Sequence, residues 1–311
     1  MKKIIIFLLA ITFLKLSNNV AFAQENEHKG TITLSGAWAI YPSAVAWADA
    51  FQKKYPNVKI DISAGGAGKG AADAIAGLVD IGMVSREPDP SEIKKGITPV
   101  YVLHDAVFAV VNEKNPALEG ILKTGIKKDV FFDSYVSGSI TTWDQVSAGN
   151  VNKPLHLYTR SDSCGAAAAW AGYLGKKQDD LRGIGVYGDP GLLEAVKKDP
   201  AGIGYNNFSY VFTREGQVAA GVRLAPIDSN ENGIADQDEV YTTRDEAIKA
   251  IRAKRYPATR KNYFFVKGKP EWLVKEFISF ALSEEGTKIV DEVGASLSMT
   301  AQEREEVVKS L

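Results

Sequence analysis

Residues 58–88 read VKIDISAGGAGKGAADAIAGLVDIGMVSREP, and the order of patterns in this stretch decides the fold class. Residues 58–63 and 79–85 are apolar runs of strand length. A glycine-rich turn at 64–70 leads from the first run into a helix-forming segment at 71–78. A strand, a helix and a second strand in this order form a right-handed βαβ unit with parallel strands. We therefore expect an α/β fold.

The same alternation continues through the rest of the chain. Apolar runs predict further strands at 31–36, 100–112, 154–160, 202–207, 222–227 and 262–268. Helical spacing or composition predicts further helices at 42–55, 164–175, 189–199, 270–283 and 284–294. The run at 100–112 is expected to cross into a second lobe, and 262–268 to return. We thus expect two α/β lobes, 31–112 plus 258–311 and 113–257, with mostly parallel sheets flanked by helices and a cleft between them.

The first 23 residues have the pattern of a signal peptide. Lys2 and Lys3 precede an apolar run, and Ala21 and Ala23 end it with small residues at the cleavage spacing. The run is too short to span a membrane, and no later stretch reaches about 18 uninterrupted apolar residues. No cysteine stands directly after the cleavage site to carry a lipid anchor. We expect a soluble mature protein that is exported to the periplasm.

Composition excludes several classes of protein. Without the leader, 288 of the 311 residues remain. Removing the three lysines of the leader leaves 34 of the 37 basic residues, against 38 acidic ones. This near balance argues against binding nucleic acid or a membrane surface by bulk charge. The single cysteine excludes an internal disulfide framework, so buried cores must supply the stability. With 45% hydrophobic residues the chain can form such cores.

Four loops are candidates for a ligand site. In open α/β sheets, ligands bind where the carboxyl ends of strands meet the N-termini of helices. The loops at such places are residues 35–42, 64–70, 85–90 and 160–167. A helix N-terminus offers free backbone N–H groups and about half a positive charge. Several of them converging would hold a compact anion.

Two arginines and one aspartate of these loops are candidate contacts for an anion. Arg86 and Arg160 could each donate a fixed fork of N–H groups to an oxyanion. Asp162 could orient Arg160 or accept a proton from a protonated anion. Simpler interpretations stay open: surface arginines, a helix cap at Asp162 or Ser163, and a flexible turn at 64–70. That turn lacks the Gly-Lys-Ser/Thr ending of a phosphate-binding P-loop.

Taken in order, seven pieces of the chain resemble the periplasmic phosphate-binding proteins that serve ABC transporters. The pieces are residues 35–52, 65–88, 105–116, 138–146, 159–167, 201–207 and 277–294. VDIGMVSR (79–86) and GSITTWDQV (138–146) are the more specific blocks, and together the pieces span nearly the whole mature chain. The resemblance implies a type II-like periplasmic-binding-protein fold whose two lobes close over an anion. It also implies delivery of that anion to a membrane permease.

The pocket departs from the family pattern where family members usually offer hydroxyl groups. Ile40 precedes Tyr41 in place of a Ser or Thr, and Ala67 stands in the glycine loop. Cys164 and Ala166 replace the Ser and Thr of the RxDxSGT block. Each lost hydroxyl would cost about 1.5–3 kcal/mol of binding if nothing replaces it. By resemblance, the ligand-binding positions are Ile40, Tyr41, Ala67, Gly68, Ser85, Arg86, Arg160, Asp162, Cys164, Gly165 and Ala166.

Cys164 has two other interpretations. It could be a small buried residue at the start of a helix. A catalytic thiol would instead need a neighbouring histidine base. The chain has only His28, His104 and His156, and of these only His104 stays a candidate neighbour. Because the sequence shows no paired base, we predict a binding protein and not an enzyme.

Residues 228–239, DSNENGIADQDE, match the calcium-loop pattern D-x-N-x-N-G-x5-E in full. Such loops bind Ca²⁺ through side-chain oxygens and one backbone carbonyl, with a glycine, here Gly233, at the sharp turn. The predicted ligands are Asp228, Asn230, Asn232, Ile234 through its carbonyl, Asp236 and Glu239. Because a strand and not a helix precedes the loop, we expect a lone structural Ca²⁺ site. The alternative is a solvated acidic turn.

The sequence therefore predicts an exported solute-binding protein of an ABC importer, acting as a monomer without nucleic acid. It would bind phosphate or a related small oxyanion and deliver it to a membrane permease. The alternative is a ligand-sensing or scaffold protein on the same fold, with altered or lost phosphate specificity.

Overall fold

The computed structural model describes residues 28–147 and 151–311, so the predicted leader lies outside the described residues. The strands are β1 (Gly30–Gly36), β2 (Val58–Ala64), β3 (Ile81–Val84), β4 (Ile97–Asn112), β5 (Ile126–Lys127), β6 (His156–Arg160), β7 (Ile184–Val186), β8 (Gly202–Asn207), β9 (Val222–Leu224), β10 (Ile227–Asp228) and β11 (Thr259–Lys267). The helices are α1 (Tyr41–Lys54), α2 (Ala67–Ala76), α3 (Pro90–Lys94), α4 (Leu118–Thr124), α5 (Lys128–Phe132), α6 (Gly165–Tyr173), α7 (Gly188–Lys198), α8 (Phe208–Val211), α9 (Arg244–Arg252), α10 (Trp272–Ala281), α11 (Glu284–Val293) and α12 (Ala301–Ser310). Short helical turns of other types lie at Asp133–Ser137, Trp143–Gln145 and Gln178–Asp180.

The main sheet has the strand order β2-β1-β3-β11-β4-β8-β6-β7, with β9 paired to β4. Parallel pairs form one end of the sheet, where β1 lies between β2 and β3, and the other end, where β6 lies between β7 and β8. Antiparallel pairs surround β4 and β11 in the middle. The sheet is thus mixed, and the predicted α/β fold class is confirmed.

Strand β4 joins the two ends of this sheet. It pairs with β11 from Ile97 to Ala106 and then with β8 from Val107 to Val111. The strand begins three residues before the predicted run, because the residues from Ile97 onward pair with the end of β11. One continuous strand therefore carries the chain from the first βαβ units to the second set.

Two hydrophobic clusters flank this crossing. The first holds α1, α2 and α10 against β1, β3 and β11, with Trp47 and Phe264 among its fully buried side chains. The second holds α6 and α7 against β8, with Trp170 and Tyr205 stacked 5.7 Å apart. Burying each such apolar side chain stabilises the fold by about 1.5–3 kcal/mol. Each set of βα units therefore has a core of its own.

Some elements differ from the predicted ones because of contacts distant in sequence. β3 begins at Ile81 since the Asp80 carboxylate accepts hydrogen bonds from the backbone and hydroxyl of Thr33, at 2.7 and 2.8 Å. The predicted strand 222–227 is split into β9 and β10. Helix α12 has no counterpart among the predicted elements. In the part of the chain described, no helix is long and apolar enough to cross a membrane.

Candidate functional site

Three helix N-termini lie where the two sets of βα units meet. Seven predicted ligand-binding residues occupy the caps or first positions of α1, α2 and α6: Ile40, Tyr41, Ala67, Gly68, Cys164, Gly165 and Ala166. Tyr41 is partly exposed, and Ile40 is fully buried. The loops that were expected to converge therefore belong to helix starts, as an anion site of this kind requires.

The glycine loop contacts the loop after β6 directly. The backbone N–H of Gly68 donates to the carbonyl of Ser163 at 3.0 Å. Gly66 has a φ of +88°, and a Cβ there would lie 2.8 Å from Asp162 Oδ2 and 2.7 Å from the Ser163 carbonyl oxygen. Only glycine combines this backbone conformation with so close an approach. The two loops are thus pressed together across the junction.

Ser85 and Gly165 make a second contact across the junction. A Cβ on Gly165 would lie 2.1 Å from both the carbonyl oxygen and the hydroxyl of Ser85. Trp38 makes a third contact: a Cβ on Gly188 would lie 3.4 Å from two atoms of its ring, and the ring centroid is 6.4 Å from that of Tyr187. The structure therefore brings the loops into a closed arrangement.

Arg160 is a fully buried cation at this junction. Its side chain has 0% exposure, and it donates to Asp162 through Nε at 2.8 Å and through Nη2 at 2.5 Å. Its Nη1 forms an ion pair with Asp189 Oδ2 at 2.7 Å, at an angle poor for a hydrogen bond. Burial lowers the pKa of Arg160, but Asp189, Cys164 and Asp162 together raise it above its usual range. Arg160 is therefore permanently charged, and Asp162 orients it.

Arg86 does not join Arg160 in this structure. Its Nη1 and Nη2 donate to the Glu92 carboxylate at 2.9 and 2.6 Å, and Nη1 also donates to the Glu87 carbonyl at 3.0 Å. The guanidinium lines a separate cavity of about 590 Å³ together with Gly68 and the start of α3. Its fork is thus held by a carboxylate next to the glycine loop.

Cys164 is the N-cap of α6 and is buried. Its Sγ accepts a hydrogen bond from the backbone N–H of Ala167 at 3.3 Å, and its own N–H donates to Gln178 Oε1 at 3.0 Å. Burial raises the pKa of the thiol to about 12, although Arg160 opposes this effect. At neutral pH the side chain is therefore a neutral thiol. The residue that caps the helix is Cys164, and neither Asp162 nor Ser163 does so.

The three histidines have partners other than this thiol. His28 stacks on Tyr55, His104 Nε2 contacts the Glu303 carboxylate at 3.0 Å, and His156 Nδ1 contacts Asp199 at 2.7 Å. A cysteine nucleophile depends on a base within hydrogen-bond reach. Among the described residues no hydrogen bond or ion pair joins Cys164 to a histidine.

Three charged residues of the junction were missed by the sequence analysis. Asp189 lies in the first turn of α7, and Arg260 of β11 pairs with Asp105 of β4 at 2.5 Å. All three are buried, with side-chain exposures of 5% or less. The position of Asp189 after β7 resembles that of the other loops, but nothing local in the sequence points to its partner. Asp105 lies within a predicted strand and Arg260 stands two residues before one, and charged side chains are usually exposed.

The loop at 228–239 folds back on two buried carboxylates. Asp228 Oδ2 accepts from the Gly233 N–H at 2.8 Å, and Glu239 Oε1 accepts from the Ser229 N–H at 2.7 Å. Asp228 and Glu239 are 1% and 7% exposed. Gly233 has a φ of +78°, the left-handed conformation expected at its sharp turn.

The remaining predicted metal ligands bond to one another. Asp236 Oδ2 accepts from the amides of Asn230 and Asn232 at 2.8 and 2.9 Å, and Asn232 Oδ1 accepts from the Ile234 N–H at 2.8 Å. No group of three His, Cys, Asp or Glu side chains in the described ranges is placed to hold a metal. A metal here would therefore depend on the asparagine amides and the Ile234 carbonyl as well as the carboxylates.

Known proteins match the chain over most of its length. A family model described as a PBP superfamily domain matches residues 21–285. The phosphate-binding protein PstS of Bacillus subtilis is 27% identical over 280 residues, which cover 89% of this chain and 83% of the relative. Protein SphX of Synechococcus elongatus is 26% identical over 282 residues, with coverages of 87% and 78%.

Solved structures include a protein from Clostridium perfringens assigned as a phosphate ABC transporter substrate-binding protein, with phosphate bound. It is 26% identical, superposes with a TM-score of 0.72, and the match covers 87% of this chain and 100% of that one. These matches confirm the resemblance found in the motifs. Because the family model spans most of its length, the chain belongs to the PBP superfamily.

Proposed function

We propose that this protein is an exported solute-binding protein of an ABC importer that binds phosphate or a related small oxyanion between its two lobes. The observation that carries the proposal is the meeting of three helix N-termini beside the buried, permanently charged Arg160. Relatives named as phosphate-binding proteins, and the Clostridium perfringens structure with phosphate bound, support this choice of ligand.

The proposed lobes are residues 31–112 plus 258–311, and residues 113–257. Separate hydrophobic clusters on the two sides of the β4 crossing support this division. The bound anion would lie among the backbone N–H groups of the helix starts, which do not depend on the missing hydroxyls. The proposed ligand-binding residues are those predicted from the sequence, with Arg86 contributing only if Glu92 releases it.

The proposed partner is a membrane permease, which would contact the closed protein and receive the anion. The leader pattern supports export to the periplasm. The protein would act as a monomer, without nucleic acid and without catalysis. The absence of catalysis is supported by the buried thiol of Cys164, whose pKa burial raises to about 12 and which makes no hydrogen bond to a histidine among the described residues.

One observation favours the alternative, a ligand-sensing or scaffold protein with altered or lost phosphate specificity. Arg160 is already paired with two carboxylates, Asp162 and Asp189. An anion that approaches this guanidinium must compete with both. A protein that no longer bound phosphate would keep the fold and the closed contacts but show no heat of binding.

We also propose that the loop at 228–239 binds one structural Ca²⁺. The fit with the calcium-loop pattern rests on the buried carboxylates of Asp228 and Glu239, the left-handed Gly233 and the oxygens of Asn230 and Asn232. A bound cation would balance the buried carboxylates of Asp228 and Glu239, whose hydrogen-bond partners among the described residues are all backbone N–H groups.

Calorimetric titration of the dialysed mature protein with inorganic phosphate, at constant Ca²⁺, tests the proposed function. A dissociation constant of about 1 μM or tighter, equivalent to about 8 kcal/mol, is the expected result. No detectable heat together with an unchanged melting temperature would contradict phosphate binding and favour the sensor or scaffold alternative.

A further inference from the structure

The guanidinium of Arg160 is shared between two carboxylates that are largely shielded from solvent. The side-chain exposures are 0% for Arg160, 8% for Asp162 and 2% for Asp189. Asp162 accepts hydrogen bonds from Nε and Nη2 of Arg160, while Asp189 forms an ion pair with the third nitrogen, Nη1. Asp189 Oδ1 has no hydrogen-bond partner among the described residues.

A second buried pair does not offset this surplus of carboxylates. Arg260 donates to Asp105 through Nε at 3.1 Å and through Nη2 at 2.5 Å, and Nη2 also donates to Asn207. Arg260 lies close enough to lower the pKa of Asp189, but burial outweighs it and leaves that pKa raised. With every side chain ionised, two arginines against three aspartates give this cluster one negative charge in excess.

An oxyanion beside Arg160 would therefore meet excess negative charge. The repulsion between two charges grows in proportion to each of them and is stronger in a buried site than in water. A dianion is thus penalised more than a monoanion at the same position. Asp189 is the member of the cluster that stands where an incoming anion would otherwise pair with Nη1 of Arg160.

We propose that Asp189 is a built-in counter-ion of Arg160, which limits the affinity of the cleft for dianionic oxyanions. This inference rests on the proposed function, since it concerns the same site. The first turn of α7 supplies a favourable location for the charge, because the positive end of the helix dipole faces it. The ligand binds by taking the place of Asp189 at the guanidinium.

The test compares phosphate titrations of the wild type, Asp189→Asn and Asp199→Asn at about pH 8, where inorganic phosphate is mainly dianionic. Asn keeps the size of the side chain and an oxygen for Arg160 but removes the charge. The dissociation constant for phosphate should fall about tenfold or more in Asp189→Asn. Asp199, at the opposite end of the same helix and paired with His156, is the matched control and should leave it unchanged.

A gain in affinity separates a counter-ion from a residue that only supports the fold, since a structural role predicts a loss. If the wild type binds phosphate and Asp189→Asn binds it equally well or more weakly, the inference is overturned but the proposed function stands. Binding by Asp189→Asn but not by the wild type supports the inference and contradicts phosphate binding by the natural protein. Binding by neither overturns both. Asp189→Ser, judged in the same way, replaces the Asn variant if that variant fails to fold.

Discussion

Arg160 ends β6 with its guanidinium fully buried, a position that an arginine occupies only when its charge is paired. Taking the guanidinium out of water costs several kcal/mol, and the carboxylates of Asp162 and Asp189 offset that cost only while all three are present. The pairing is thus a property of the group. Removing one member leaves the charge of the others uncompensated.

Arg160→Ala should lower the free energy of unfolding by about 3–5 kcal/mol, as expected for breaking a buried pair. Burial raises the pKa of Asp189, and Arg160 opposes it, so the variant should have a still higher folded pKa there. A carboxyl whose pKa is higher in the folded protein than in the unfolded chain binds more protons in the folded state. Its contribution to the free energy of unfolding therefore falls as the pH rises through the folded-state pKa. Urea denaturation at about pH 5 and pH 8 should therefore show the larger loss at pH 8.

Arg223→Ala is the control, because Arg223 pairs with Glu113 at 3.4 Å and both side chains are well exposed. Such a surface pair contributes about 0–1 kcal/mol. The interpretation of Arg160 is wrong if its variant is as stable as Arg223→Ala at both pH values.

At the scale of the element, the sequence was informative where the partners are close along the chain. The βαβ order of residues 58–88 predicted the first parallel strands, and the spacing of Arg160 and Asp162 suggested their pairing. Asp189 lies 29 positions after Arg160, and Arg260 lies 155 positions from Asp105. Pairings of this kind depend on which strands become neighbours in the sheet, and no local pattern encodes that.

The loop at 228–239 carries the prediction that belongs to this scale. Removing Ca²⁺ with a chelator should lower the melting temperature by about 5 °C. A ligand present at a hundred times its dissociation constant stabilises the folded protein by about 2.7 kcal/mol, and this stabilisation is lost with the ion. The physical reason is that Asp228 and Glu239 are buried and lose their cation. Differential scanning calorimetry with and without chelator measures the shift.

Glu239→Gln should abolish the response to chelator, because it removes the carboxylate expected to close the site. Asp238→Asn, one residue away, should keep the response, since Asp238 is half exposed and pairs with Arg255. An unaltered melting temperature of the wild type, or an equal response in both variants, would rule out the proposed Ca²⁺ site.

At the scale of the whole molecule, the two proposed lobes touch at several points around the proposed anion site. Gly68 bonds to Ser163, and Gly165 packs against Ser85 with no room for a further atom. The arrangement is a closed one, and β4 and β11 are the strands that connect its halves. Binding between the proposed lobes requires that closure remains available, so a group inserted at this contact should weaken binding by holding the lobes apart.

Gly165→Ala should prevent this closure. Its Cβ would lie 2.1 Å from the carbonyl oxygen of Ser85, a backbone atom that cannot turn away. The lobes should separate, and phosphate affinity should fall about tenfold or more because the binding-competent state becomes a minor one. Small-angle X-ray scattering should show a larger radius of gyration than for the wild type, and calorimetry should show the weaker binding.

Gly172→Ala is the matched control, since Gly172 lies in the same helix, α6, and a Cβ there would meet nothing within 4 Å. Replacing a helical glycine by alanine should stabilise the protein by about 0.5–1 kcal/mol without changing its size or its affinity. If Gly165→Ala also leaves the radius of gyration and the phosphate affinity unchanged, the contact with Ser85 is not needed for binding. The added methyl group would then be accommodated without separating the two lobes, and closure would not depend on the absence of a side chain at this position.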